Sequence, residues 1–111
     1  MTGISIVGSG HTKFGRLDQN LEEMIVEVVR EAVEEAGVEP ADIDAVFLGH
    51  FNSGLVDDGF ASSLIHQAYP ELRFTPGVRV ENACASGSAA IHAGMNSILA
   101  GQSKIVLVVG A

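Results

Sequence analysis

The sequence has one cysteine, no tryptophan, one tyrosine and three prolines in 111 residues. One cysteine excludes an internal disulfide, which suits a reducing compartment, and a cytoplasmic protein is expected. A zinc site is not expected either, because no pair of cysteines or histidines stands at i, i+3 or i, i+4 spacing. Positive charge is also scarce. The six basic residues (Lys13, Arg16, Arg30, Arg73, Arg79 and Lys104) are scattered among fourteen acidic ones, for a net charge of −8. No basic face can be assembled from them, so nucleic acid is not an expected partner. The start, Met1-Thr2-Gly3-Ile4, lacks the positive and apolar regions of a secretory signal. With 47% hydrophobic and 18% charged residues the chain is expected to fold, as a single domain.

One absence is local. No charged residue occurs between Glu81 and Lys104. The uncharged stretch from Asn82 to Ser103 is long enough to cross a bilayer. It is interrupted by Asn82, Ser86, Ser88, His92, Asn96 and Ser97, so a membrane span is not expected.

What is present alternates between strand-like and helix-like segments. Ile4-Ser5-Ile6-Val7-Gly8 is a β-rich run and predicts a first strand. Asn20 and Glu23 form a capping box, and Leu21, Met24, Ile25, Val28, Val29, Ala32 and Ala36 recur at helical spacing until Gly37. Pro40 to Ile43 predicts a single turn, and Ala45 to Gly49 a second strand. Asp58 is placed to cap a second helix carrying Phe60, Ala61, Leu64, Ile65 and Ala68 inward and ending at Pro70. Gly77 to Val80 predicts a third strand, and Ala83 to Ala100 a helix that stops at Gly101. Ile105 to Val109 is apolar without alternation, as in a central parallel strand covered on both faces. The order β-α-β-α-β-α-β predicts an α/β fold with a parallel sheet. Two features point to a longer protein. A helix without charge needs cover on both sides, which one four-stranded sheet does not supply. The apolar last strand also ends at Gly110-Ala111, where open α/β sheets bind ligands.

Cys84 is the candidate nucleophile. It stands where the third strand gives way to the uncharged helix, near free backbone N–H groups and the positive end of the helix dipole. Ala85, Ser86, Gly87, Ser88 and Ala89 after it are all small, so an acyl group has room to approach the sulfur. The bland reading of a lone cysteine is a small buried hydrophobe. Of the histidines (His11, His50, His66 and His92), His50 lies at the C-terminal end of a strand, the same edge as Cys84, and is the one candidate partner. His66 is expected on the surface of the second helix, and His92 two turns beyond Cys84. Gly8-Ser9-Gly10 lacks the third glycine and the immediate helix of a dinucleotide fingerprint. No G-x-S-x-G motif surrounds Ser86, which is therefore not a nucleophile elbow.

Val80-Glu81-Asn82-Ala83-Cys84-Ala85-Ser86-Gly87-Ser88-Ala89-Ala90, an uncharged helix and Lys104-Ile105-Val106-Leu107-Val108-Val109-Gly110-Ala111 together resemble the nucleophilic-cysteine region of the thiolase superfamily. The opening, Ile6-Val7-Gly8-Ser9-Gly10-His11-Thr12-Lys13-Phe14-Gly15-Arg16, resembles thiolases of the sterol-carrier-protein-x type. The resemblance implies that residues 1–111 are the N-terminal part of a thiolase N-terminal domain, the incomplete first half of an α-β-α-β-α layered fold. It implies an acetyl-CoA acetyltransferase-like enzyme in which Cys84 carries the acyl group during thiolysis or Claisen condensation. Acyl-CoA and CoA would be its substrates, with no metal or redox cofactor, and the assembly would be a homodimer or homotetramer. The family's catalytic histidine, second cysteine and most of its CoA-binding region have no counterpart in these residues. Residues 1–111 alone are therefore expected to be inactive without the C-terminal half. Two other readings stand beside this one: a ketoacyl-synthase-type condensing enzyme, and a non-catalytic α/β interaction module in which Cys84 is structural.

Overall fold

The computed structural model describes residues 3–111. Its first regular element is helix α1, Leu21–Ala36. The capping box forms as the sequence predicts. The Asn20 side chain accepts the Glu23 N–H at 2.9 Å, and the Glu23 carboxylate accepts the Asn20 N–H at 3.1 Å. Gly37 ends the helix in the left-handed region at φ 68°, open to glycine without steric cost. The buried stripe is Ile25, Val29 and Val33. Val33 lies outside the apolar series read from the sequence, although its spacing continues that of Ile25 and Val29.

Three strands follow: β1 (Ala45–Gly49), β2 (Gly77–Val80) and β3 (Val106–Gly110). They form a parallel sheet in the order β2-β1-β3, with Phe47 opposite both Val78 and Val108. The parallel α/β architecture is the one predicted, with a different strand in the middle. The central strand is β1, and among the described residues β3 pairs with β1 alone. The apolar character of β3 reflects cover on both faces, since Leu107 and Val109 are buried and Val106 and Val108 half-buried.

The sheet has two different faces, and side chains alternate between them along each strand. Helix α2, Ser86–Leu99, packs on one face. A Cβ at Gly94 of α2 would lie 3.0 Å from Val108 and 3.8 Å from Phe47. The other face meets α1 and the segment Ala61–Ala68. A Cβ at Gly77 would there lie 2.7 Å from the His66 ring and 3.1 Å from Val46. The core joins Ile25 and Val29 of α1 to Val46, Leu48, Ile65, Leu72 and Leu107.

Two predicted elements take another form. Ile4–Gly8 makes no strand; Ile6 and Val7 are exposed. The segment lies on α1, so closely that a Cβ at Gly8 would be 2.4 Å from the Ala32 carbonyl oxygen. Strand propensity expresses a fit to a neighbouring strand, and this run has none among the described residues. The second helix is a 3₁₀ helix confined to Ala61–Ala68, without a side-chain cap. Phe60, expected inside, is 72% exposed, while Ser62 is buried. The Ser63 hydroxyl and N–H both bond the Phe60 carbonyl, at 2.7 and 3.1 Å, and this i→i+3 bonding favours the tighter 3₁₀ geometry.

The expected envelopment of α2 is also only half present. Ser86, Ala90 and Gly94 are its buried residues, whereas Ile91 and Leu99 remain about half exposed (49% and 59%). The uncharged outer face is open in this chain. No helix among the described residues is long and apolar enough to cross a membrane.

Candidate active site

Five residues, Glu81 to Ala85, carry the chain from the end of β2 to the start of α2, and one of them is Cys84, which is exposed. The bland reading of a buried small hydrophobe therefore does not describe this thiol. The turn is sharp. Ala83, just before the cysteine, has φ 46°, a left-handed conformation that costs an L-residue roughly 1–2 kcal/mol. Hydrogen bonds around it offset that cost. The Ser86 hydroxyl donates to the Ala83 carbonyl at 2.7 Å and accepts the Asn82 N–H at 2.9 Å. The Glu81 carboxylate accepts the Ala83 N–H, and the Ala85 N–H reaches the Asn82 carbonyl at 2.9 Å. Ser86 is only 5% exposed, so its hydroxyl is a structural tie rather than a reacting group.

Ala85 holds the N-cap position of α2 and provides no side-chain cap. The first turn of an uncapped helix leaves backbone N–H groups free to meet an acceptor, and its dipole places partial positive charge there. Gly87 and Ser88 in that turn are exposed. A carbonyl oxygen that gains negative charge when sulfur attacks would find suitable donors at such a terminus.

The underside of the turn is set by Gly49, the last residue of β1. A Cβ there would stand 2.6 Å from the Ser86 oxygen and 3.0 Å from the Gly87 Cα, so only glycine lets α2 come this close. Gly49 thus faces α2, and by alternation the His50 side chain faces the α1 side of the sheet. His50 is buried, with Nδ1 2.8 Å from the Ala111 carbonyl oxygen. It shares a sheet edge with Cys84, as the sequence predicts, but points to the opposite face. His66 is half-buried rather than on the surface, with Nε2 2.8 Å from the Thr75 carbonyl oxygen. His92 is exposed on α2.

In the sequence Ser86 stands only among the small residues after Cys84 and Gly49 only at the end of a strand; the bracing hydroxyl and the close approach of the two are not legible there. The available signal was a serine opening a helix that has no other cap, beside a glycine ending a central strand.

A family model described as the thiolase N-terminal domain matches residues 4–111. An acetyl-CoA acetyltransferase of Methanothermobacter thermautotrophicus is 39% identical over 112 residues, covering 99% of this chain and 29% of that protein. The chain therefore spans under a third of that relative's length. Among solved structures, acetyl-CoA acetyltransferase from Syntrophomonas wolfei is similar with a TM-score of 0.77 and 24% identity, covering 93% of this chain and 27% of the other. The priming β-ketosynthase of the R1128 polyketide biosynthetic pathway is similar with a TM-score of 0.68 and 27% identity, covering 86% and 28%.

Proposed function

The chain belongs to the thiolase family by its N-terminal domain, and from that premise we propose that it is part of an acyl-CoA C-acyltransferase whose acyl acceptor is Cys84. The observation that carries the proposal is the exposed thiol on a braced turn, directly before an uncapped helix.

The Cys84 sulfur attacks the carbonyl carbon of an acyl-CoA thioester, and electrons move onto the carbonyl oxygen. Collapse of that intermediate breaks the bond to the CoA sulfur, releasing CoA thiol and leaving the acyl group on Cys84. In condensation, the α-carbon of a second acyl-CoA, deprotonated by a base, attacks the acyl-Cys carbonyl. A carbon–carbon bond forms and the Cys84 thiolate leaves. Thiolysis is the same sequence in reverse, with CoA attacking the acyl-Cys to release acyl-CoA. On this reading the base and the CoA pocket come from the remaining length of the protein, and the assembly is a cytoplasmic homodimer or homotetramer. No metal or redox group enters these steps.

The test is made on the full-length protein. Brief incubation with acetyl-CoA should add one acetyl group to the peptide containing Cys84, and Cys84→Ala should abolish both that adduct and acetoacetyl-CoA turnover. Wild-type turnover by Cys84→Ala would overturn the reading.

A second reading rests on the similarity to the β-ketosynthase. There the acyl group on Cys84 would be extended by a decarboxylating malonyl thioester. Carbon dioxide released with each product distinguishes it from condensation of two acetyl-CoA molecules.

A further inference from the structure

The ladder of the sheet runs one residue beyond β1, to His50. Its backbone N–H donates to the Val80 carbonyl at 3.2 Å, and its own carbonyl accepts the Arg79 Nε–H at 3.1 Å. Its Nδ1 lies 2.8 Å from the Ala111 carbonyl oxygen. A carbonyl oxygen only accepts, so the hydrogen-bond pattern assigns the proton to Nδ1 and leaves Nε2 of the neutral ring as an acceptor. That Nε2 is buried without a partner among the described residues. One residue, 6% exposed, thus ties the tips of β2, β1 and β3 together. The chain leaves this point through Val80 into the turn that bears Cys84.

We propose that His50 is a positioning residue for Cys84, which sets the turn against the sheet without touching the sulfur. The inference rests on the reading of Cys84 as acyl acceptor. Two observations support it. A residue that only filled the core would be better as an aliphatic, because a buried acceptor without a donor is costly. The histidine keeps its Nδ1 link in spite of that cost. The strand tip it anchors is also the one whose Gly49 abuts the Ser86 backbone on the other face. The Ala111 N–H also donates to the Gly49 carbonyl at 2.9 Å, so losing the Nδ1 link loosens the β1 tip without detaching it, and a shift of that tip reaches Ser86 and the turn through Gly49.

The test uses isosteres in the full-length protein. Asparagine can place an amide N–H near the position of Nδ1, glutamine near that of Nε2, and leucine fills the space without polar atoms. His50→Asn should acylate Cys84 at close to the wild-type rate. His50→Gln and His50→Leu should lose about tenfold to a hundredfold in kcat with KM for acetyl-CoA nearly unchanged, the size expected of a misplaced reacting group. Alkylation of Cys84 by iodoacetamide should slow in parallel. His50→Leu should show this at an unchanged or higher Tm, which a purely structural role would not produce. Wild-type acylation by both His50→Gln and His50→Leu would overturn the inference while leaving Cys84 as acceptor. Turnover by Cys84→Ala would overturn the underlying reading separately.

Discussion

Gly49 supports Ser86 by having no side chain: a methyl group there would reach within 2.6 Å of the Ser86 carbonyl oxygen and 2.9 Å of its carbonyl carbon. Both are backbone atoms at the start of α2, so relief requires moving the helix or the strand tip. Gly49→Ala should therefore destabilise the protein by about 1–3 kcal/mol, the usual range for overpacking. The gain of about 0.4–1 kcal/mol from a stiffer unfolded chain is too small to compensate. Urea unfolding measures the loss, and acylation of Cys84 in the full-length protein should fall with it.

Ser86→Ala removes the hydroxyl that serves Asn82 and Ala83 together. A buried group stranded in this way costs up to about 3 kcal/mol, but Asn82 and Ala83 are exposed and water can replace part of the loss. The expected loss is about 1 kcal/mol, with slower acylation of Cys84 as the turn loosens. Unfolding midpoints and acyl-enzyme formation rates check the two effects.

Ala83 separates backbone strain from packing. Glycine at this position removes the roughly 1–2 kcal/mol cost of φ 46° and adds up to about 1 kcal/mol of unfolded-chain entropy. Ala83→Gly should thus be as stable as wild type or slightly more so. Ala83→Val should be clearly less stable, because a β-branched residue suffers most in that region. Thermal unfolding of the two variants side by side gives the comparison.

Asp44 gives a pH signature. Its Oδ2 accepts the Lys104 N–H at 2.8 Å and the Ile105 N–H at 3.1 Å, tying the start of β1 to the approach to β3. The Lys104 bond, followed by the Ile105 bond, holds the carboxyl below its ordinary 3.8. The folded value is depressed, so this stabilisation is fully present above about pH 4 and is lost as pH falls through the folded value. Asp44→Asn should be less stable than wild type at neutral pH, and the gap should close toward acid. Urea midpoints recorded from neutral pH to below 3.8 would show it.

Much of the fold was legible where the signal is local. The Asn20/Glu23 box, Gly37, the Pro40 turn and the runs at Ala45, Gly77 and Val106 each rest on neighbours within one turn or one strand. Ile4–Gly8 carried an equally clear strand pattern and makes no strand, because a strand also needs an edge to pair with. The segment at Ala61 buries Ala61, Ile65 and Ala68 as its spacing implies, but the 3₁₀ geometry that Ser63 and Phe60 impose was not legible, and with it Phe60 lies outside and Ser62 inside.

For the candidate site the division is the same. The sequence by itself determined that a lone cysteine stands between a strand and a charge-free helix, because the order of small, apolar and charged residues is written along the chain. Only the tertiary structure decided that the thiol is exposed, that Ser86 braces its turn, and that His50 turns to the other face of the sheet. Those outcomes depend on the two-residue alternation of β1 and on the close approach at Gly49, where distant segments meet.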